Sequence, residues 1–414
     1  MKKKILLSFF VASSLFADAE LDAIKEQLKQ QKIITQRLEA KLSMLEKKQA
    51  KQQVKIETKK SVNTSASFSQ NAYLPDIALI LNMSALSRNI SNNDYPNVEI
   101  PGFINKGDIH LPFNKDKGFN LNYAEVAMHS VVDPYFEAFA NFHLHPDEFE
   151  IGEAYIQTTS LPYSLRLRAG KFKSHFGRIN SKHQHSWHFD SQPIIYKALF
   201  GPDGISDPGV QLQWMAPTDT YLMFGAEAMQ GTNERSFGES DKNNLYIGYI
   251  KSSVDVGDNL SILGGVSIAH GKNKTHHKTD IYGVDLTLRE QLGSYNALIW
   301  QSEFLQRNKD LGNKTDKQAG LYSELIYQYN NNYSFGVRYD DITKNDTDLS
   351  AYGIDTSNLK RYTAMVEYKP FPMSRLRLSY SHDKTKVLDG KRKDIDKVML
   401  SINIAAGAHG AHDY

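Results

Sequence analysis

The chain has 414 residues, is 40% hydrophobic and 23% charged, and carries 22 Tyr and 20 Phe against 3 Trp and no Cys. Without cysteine there are no disulfides, thiolate nucleophiles or thiolate metal sites, and no run of about 18 apolar residues is available for a transmembrane helix. Formal charge is +2; with Lys2, Lys3, Lys4 and Asp18 of the leader set aside, 46 basic residues balance 46 acidic ones, so nothing favours a phosphate backbone and nucleic acid is not expected as a partner.

Residues 1–19 read as a signal peptide. Lys2 to Lys4 form a positive n-region, Ile5 to Phe16 an apolar h-region, and Ala17-Asp18-Ala19 an A-x-A cleavage site. Residues 20–55 carry a 3.5-residue apolar repeat through Leu21, Ile24, Leu28, Leu38, Leu42 and Leu45, with no Gly or Pro. Such a stripe on an otherwise polar helix is buried by pairing with copies of itself, which predicts a periplasmic coiled coil and a homotrimer. Residues 56–75, including the Ser/Thr/Asn-rich run Lys60 to Asn71, read as a linker.

From residue 76 the period changes to two. Sixteen alternating segments follow, from 76–86 to 395–405, and they predict an all-β membrane protein: a 16-stranded antiparallel transmembrane β-barrel over 76–414. In 374–382, Arg375, Arg377, Ser379 and Ser381 share one face, and Leu376, Leu378 and Tyr380 the other. Closure into a barrel lets such apolar faces meet outer-membrane lipid while every backbone group stays hydrogen-bonded. Connections alternate short and long. The short ones include Asp133-Pro134, Ser160–Tyr163 and Asn330–Asn332; the long ones include 87–118, 173–207, 230–243, 306–318, 340–359 and 383–394, with 146–148 the exception. Segregation of this kind marks outer-membrane barrels. The terminal aromatic Tyr414 fits a signal for the barrel-assembly machinery.

On the lumen face, Arg338, Arg361, Arg375, Arg377 and Lys397 make a basic wall, and Arg166 and Arg168 a second basic strip. Glu125, Glu137, Glu153 and Glu227 form an acidic side. Opposed charge walls across a narrow pore sort ions and dipolar solutes. The connection 173–207 holds Arg178 together with Phe176, Trp187, Phe189, Ile194, Ile195, Tyr196, Leu199 and Phe200. An exposed loop has no use for that apolar content, so it is expected to fold inward as a constriction. It also carries His183, His185, His188 and Asp190, while His143 and His145 share one face of the third strand. Imidazole and carboxylate without thiolate suit Zn²⁺ or a related divalent ion as a substrate; plain hydrogen bonding is the alternative role. No resident cofactor is implied. No GxSxG, P-loop, dinucleotide fingerprint or HExxH occurs, so no enzyme chemistry is expected.

The stretches "NYAEVAMHSVVDPYFEAFANF", "GKFKSHFGRIN", "HQHSWHFDSQP" and "GVQLQWMAPTDTYLMFGAEAMQG" within 119–231 resemble proteobacterial zinc-regulated outer-membrane receptors, commonly labelled TonB-dependent. The overall layout is similar to porins of the phosphate-selective type, which are trimeric. The resemblance implies an outer-membrane protein tied to metal supply. Residues 20–75 are too few for a plug domain. The expectation is therefore a porin for passive diffusion of small hydrophilic solutes or ions, with a receptor or specific channel for a metal ion or metal complex as the alternative.

Overall fold

The computed structural model describes residues 75–107, 113–145, 149–240, 243–347 and 359–407. The expected signal peptide, coiled coil and most of the linker, as well as Tyr414, lie outside the described residues. The strands are β1 (Asp76–Arg88), β2 (Gly118–Val131), β3 (Phe136–Leu144), β4 (Phe149–Thr158), β5 (Leu165–Lys173), β6 (Ser206–Met215), β7 (Tyr221–Met229), β8 (Leu245–Val256) and β9 (Leu260–Lys272). They continue with β10 (Lys278–Gln291), β11 (Ala297–Asp310), β12 (Thr315–Tyr329), β13 (Tyr333–Asn345), β14 (Lys360–Tyr368), β15 (Ser374–Asp383), the short hairpin β16 (Val387–Leu388) and β17 (Lys391–Arg392), and β18 (Ile395–Gly407).

Leaving aside the β16–β17 hairpin, these strands form one closed antiparallel ring of sixteen in which each pairs with its chain neighbours. β1 seals the ring against β18, from Ala78 opposite Gly407 to Arg88 opposite Lys397. Closure removes both sheet edges, so no row of backbone N–H and C=O groups is left unpaired.

The two-residue period then sorts side chains into two environments. On β15, Arg375, Arg377, Ser379 and Ser381 are buried inside, while Leu378 and Tyr380 are exposed outside. On β18, Met399, Ser401 and Asn403 face in and Val398, Leu400 and Ile404 face out. Val210, Leu212, Trp214, Val266, Ile268, Tyr282 and Val284 continue the apolar outer surface around the ring. In water such a belt would be a severe liability, and against lipid it is the stable arrangement.

Tight turns close one end. Between β2 and β3, the Asp133 carboxylate accepts from the backbone N–H of Tyr135 at 2.7 Å and of Phe136 at 2.8 Å, an Asx turn of the kind short polar side chains favour. At the β12–β13 turn Asn330 adopts a left-handed backbone, φ 51°, which asparagine tolerates better than most residues. The other end carries most of the long connections, with two corrections. The stretch 306–318 is not a long loop, because β11 and β12 stay paired out to Asp310 opposite Thr315, leaving 311–314 as the turn. The β9–β10 connection is likewise only 273–277, so 146–148 is not a lone exception. These strands run past the apolar belt: Gln306, Asn308 and Asp310 make the outer face polar there, while Arg307 stays buried on the inner face, bonded to Gln318 at 3.0 Å, and polar residues on both faces hide the two-residue period.

Candidate functional site in the barrel lumen

The connection between β5 and β6 turns into the barrel. It holds a 3₁₀ turn at Gln184–Ser186 and one helix, α1 (Ile194–Phe200), before rejoining the wall. Phe176, Ile194, Ile195, Tyr196, Leu199 and Phe200 are all buried, in one cluster with the inward-facing Tyr249, Ile281, Leu305 and Tyr322. Apolar packing thus supplies the driving force for inward folding, and lumen side chains supply the polar anchors.

Those anchors come from opposite walls. Lys251 on β8 donates to the Gly177 carbonyl at 2.7 Å, and Glu303 on β11 accepts from the Arg178 backbone N–H at 3.0 Å and the Tyr196 hydroxyl at 2.6 Å. Asp340 on β13 accepts from the Ile194 N–H at 2.8 Å, and Glu227 on β7 accepts from the His175 N–H at 2.9 Å. At Gly177, φ 61°, an added Cβ would meet Glu303 and Tyr196, so glycine satisfies both the left-handed backbone and the close approach.

The basic wall is a clamp on this loop rather than an open, solvated surface. Arg338 donates to the carbonyl and hydroxyl of Ser191 at 2.7 and 2.8 Å, and Arg361 to the Gln192 carbonyl at 2.8 Å. Both guanidiniums also share Asp340, at 3.2 and 3.0 Å. Arg375 and Arg377 reach the Trp187 carbonyl at 3.2 and 3.1 Å and pair with Glu367 at 2.8 and 2.6 Å. Arg377 adds Asp190 at 2.7 Å. Lys397 lines a cavity of about 100 Å³ with Lys197, Arg361, Lys386, Asp190 and Asp383. Burial pushes the Lys197 ammonium down to about 7, helped by Lys386, Arg361 and Lys397. Burial likewise brings Lys182 down to about 8, helped by Arg178. His175 is held well below its usual value by burial, then by Lys251 and the Arg168 and Arg166 strip. Toward the short-turn end, Arg166 donates to Gln213 at 2.9 Å, Arg168 to Gln157 at 2.7 Å, and Glu137 accepts from Gln157 at 2.6 Å.

The histidines divide. His143, His145, His183 and His185 come together against β2, β3 and β4, with neighbouring ring centroids 5.7 to 6.3 Å apart. Glu125 lies 3.5 Å from His143 Nε2 and 3.4 Å from His185 Nδ1, and Glu153 accepts from His183 Nε2 at 2.6 Å. Glu150, which has no distinguishing pattern in the sequence, faces His143 Nδ1 at 3.8 Å. His188 and Asp190 lie apart from this group. His188 contacts Glu324 on β12 at 2.7 Å, and Asp190 is held by Arg377 and Ser401. A bulge between Asn141 and Phe142 shifts the β3 register beside the cluster. Across from it stands Gly152, where a Cβ would fall 2.6 Å from Asn141 Oδ1 and 2.9 Å from His143 Cε1. Bulges re-aim side chains in this way next to functional sites.

No family model matches the chain. It is 38% identical over 384 residues, covering 84% of this chain and 81% of the relative, to an uncharacterized protein of Aquifex aeolicus (strain VF5). Among solved structures it is similar to an anion-selective porin from Comamonas acidovorans, with TM-score 0.52, 11% identity, and coverage of 80% of this chain and 99% of that one. It is also similar to the outer membrane channel DcaP of Acinetobacter baumannii, with TM-score 0.51, 12% identity, and coverage of 82% and 99%. At such identities these likenesses establish the fold, a porin-type sixteen-stranded barrel.

Proposed function

We propose, starting from the fact that this chain belongs to one family with the Aquifex aeolicus protein and has the porin fold, that it is an outer-membrane channel for passive diffusion of small hydrophilic solutes or ions. One observation carries the reading: a closed ring of sixteen strands, apolar outside and lined inside by Arg, Lys, Glu, Asp, Gln and Ser. A ring of that strand number is wide enough to leave an aqueous lumen, and here the inner loop occupies its middle and sets what passes. The lumen is read as a transport path in which Lys251, Glu303, Asp340, Arg338, Arg361 and Arg377 fix the loop. The apolar heptad repeat read in the sequence of residues 20–55 supports a homotrimer, alongside contacts between barrel walls. Deleting 20–55 and measuring the detergent-corrected mass tests that part, and an unchanged trimer would assign assembly to the walls alone.

Liposome swelling tests the transport role. Vesicles containing the mature protein are expected to swell in isotonic solutions of small neutral and charged solutes, at rates falling with solute size. Vesicles that hold folded protein and stay impermeant to all of them would contradict it.

A further inference from the structure

We propose that the seam between the inner loop and strands β2 to β4 is a binding site for a divalent transition-metal ion of the zinc type, ligated by Glu125, His143 and His183 with His185 and His145 beside them. One ligand atom from each of Glu125, His143 and His183 lies within 4.8 Å of the other two. In a tetrahedral zinc site, with bonds of about 2.0–2.2 Å, ligand atoms stand roughly 3.4 Å apart, so contraction by about an ångström completes the geometry. The Asn141 side-chain amide sits between two of them, 3.1 Å from Glu125 Oε1 and 3.3 Å from His183 Nδ1. It points its hydrogens where a cation would place its charge.

The surroundings hold the rings as metal-binding imidazoles are held elsewhere. His183 Nε2 bonds to Glu153 at 2.6 Å while its Nδ1 faces the Asn141 amide at 3.3 Å, and His145 Nδ1 bonds to the Asn122 carbonyl at 2.9 Å. A carboxylate or carbonyl behind each imidazole fixes its tautomer and raises its basicity as a ligand. Imidazole with carboxylate selects Zn²⁺, Co²⁺, Ni²⁺ or Cu²⁺ over Mg²⁺ and Ca²⁺, which prefer all-oxygen shells. There is also an approach route. Glu125 and His183 are almost fully buried, yet His143 and Glu150 retain 17% and 34% side-chain exposure, at the barrel end where the β3–β4 connection is short.

The ligands come from two parts of the molecule: Glu125 and His143 from the wall, His183 from the loop. A bound ion therefore cross-links the loop to β2 and β3 and stabilises its docked position. This inference does not depend on the transport reading, because a barrel that conducts nothing could still hold the ion.

The test is Co²⁺ and Zn²⁺ titration of the full mature chain in detergent, followed by X-ray absorption at the zinc edge. Saturable binding of one ion per chain is expected, with a first shell of imidazole nitrogen plus carboxylate oxygen. His143→Gln with Glu125→Gln should abolish it, Glu153→Gln should weaken it by about 10–100-fold, and His188→Gln should leave it unchanged. The edge spectrum of the unmutated protein stands even if a variant fails to fold. An all-oxygen shell, the absence of saturable binding, or saturable binding that survives in the folded double variant would each overturn the proposal.

Discussion

Arg377 is the side chain whose removal most directly separates barrel from loop. It pairs with Glu367 at 2.6 Å on its own wall, and with Asp190 at 2.7 Å and the Trp187 carbonyl at 3.1 Å on the loop. Removing one partner of a buried ion pair costs about 3–5 kcal/mol, chiefly because the remaining charge is left uncompensated. Here Glu367 keeps Arg375 at 2.8 Å and Lys369 at 3.5 Å, and Asp190 keeps the Ser401 hydroxyl at 2.7 Å. The low end therefore applies to Arg377→Met, about 3 kcal/mol, which multiplies the undocked fraction of the loop by roughly 150. The wall itself should survive, since β15 remains paired to β14 and β18 through its backbone. Limited trypsin digestion at Arg178, Lys182 and Lys197, read by mass spectrometry, measures the undocked population when docking is fast relative to cleavage. Arg377→Lys should fall between, because a lysine cannot serve two carboxylates and a carbonyl with one planar fork. Cleavage of Arg377→Met at the unmutated rate would show that the arginine clamp does not hold the loop.

Two further outcomes follow from the loop. Gly177→Ala should undock the loop locally by about 1–2 kcal/mol from the left-handed backbone alone, with further displacement of Glu303 and Tyr196, visible as faster trypsin cleavage at Arg178. Lys197, at about 7 when docked, binds fewer protons than the free loop between pH 7 and its ordinary range. Docking should therefore strengthen as pH rises from about 7 toward 10 and be weakest below 7; Lys197→Met should flatten that dependence, and an unchanged pH profile of trypsin cleavage in that variant would assign it to another group.

Much of the barrel is legible in the chain because a wall with lipid on one side and water on the other forces a two-residue period. Arg375 and Arg377 against Leu376, Leu378 and Tyr380 state which way β15 faces. The signal fades where both faces carry polar residues, as at Gln306 and Asn308 on either side of the buried Arg307, and there strand reads as loop. The inner loop's apolar content shows that it needs a cover, yet its partners are fixed by contacts between residues far apart in sequence. That the arginines of β13 to β15 grip the carbonyls of Ser191, Gln192 and Trp187 has no local trace. Histidine spacing is equally partial. His183 precedes the Gln184–Ser186 turn and His185 lies within it, and both stay with β3, while the chain carries His188 across to Glu324. Glu150 joins the cluster only through the pairing of β3 with β4, which sets it opposite His143.

Single-channel conductance in planar bilayers tests the central claim most directly. The unmutated protein is expected to give discrete ohmic steps, and the Arg375→Ala/Arg377→Ala chain larger and noisier ones as the loop leaves the lumen. Folded protein that inserts yet passes no current in either form would contradict the account.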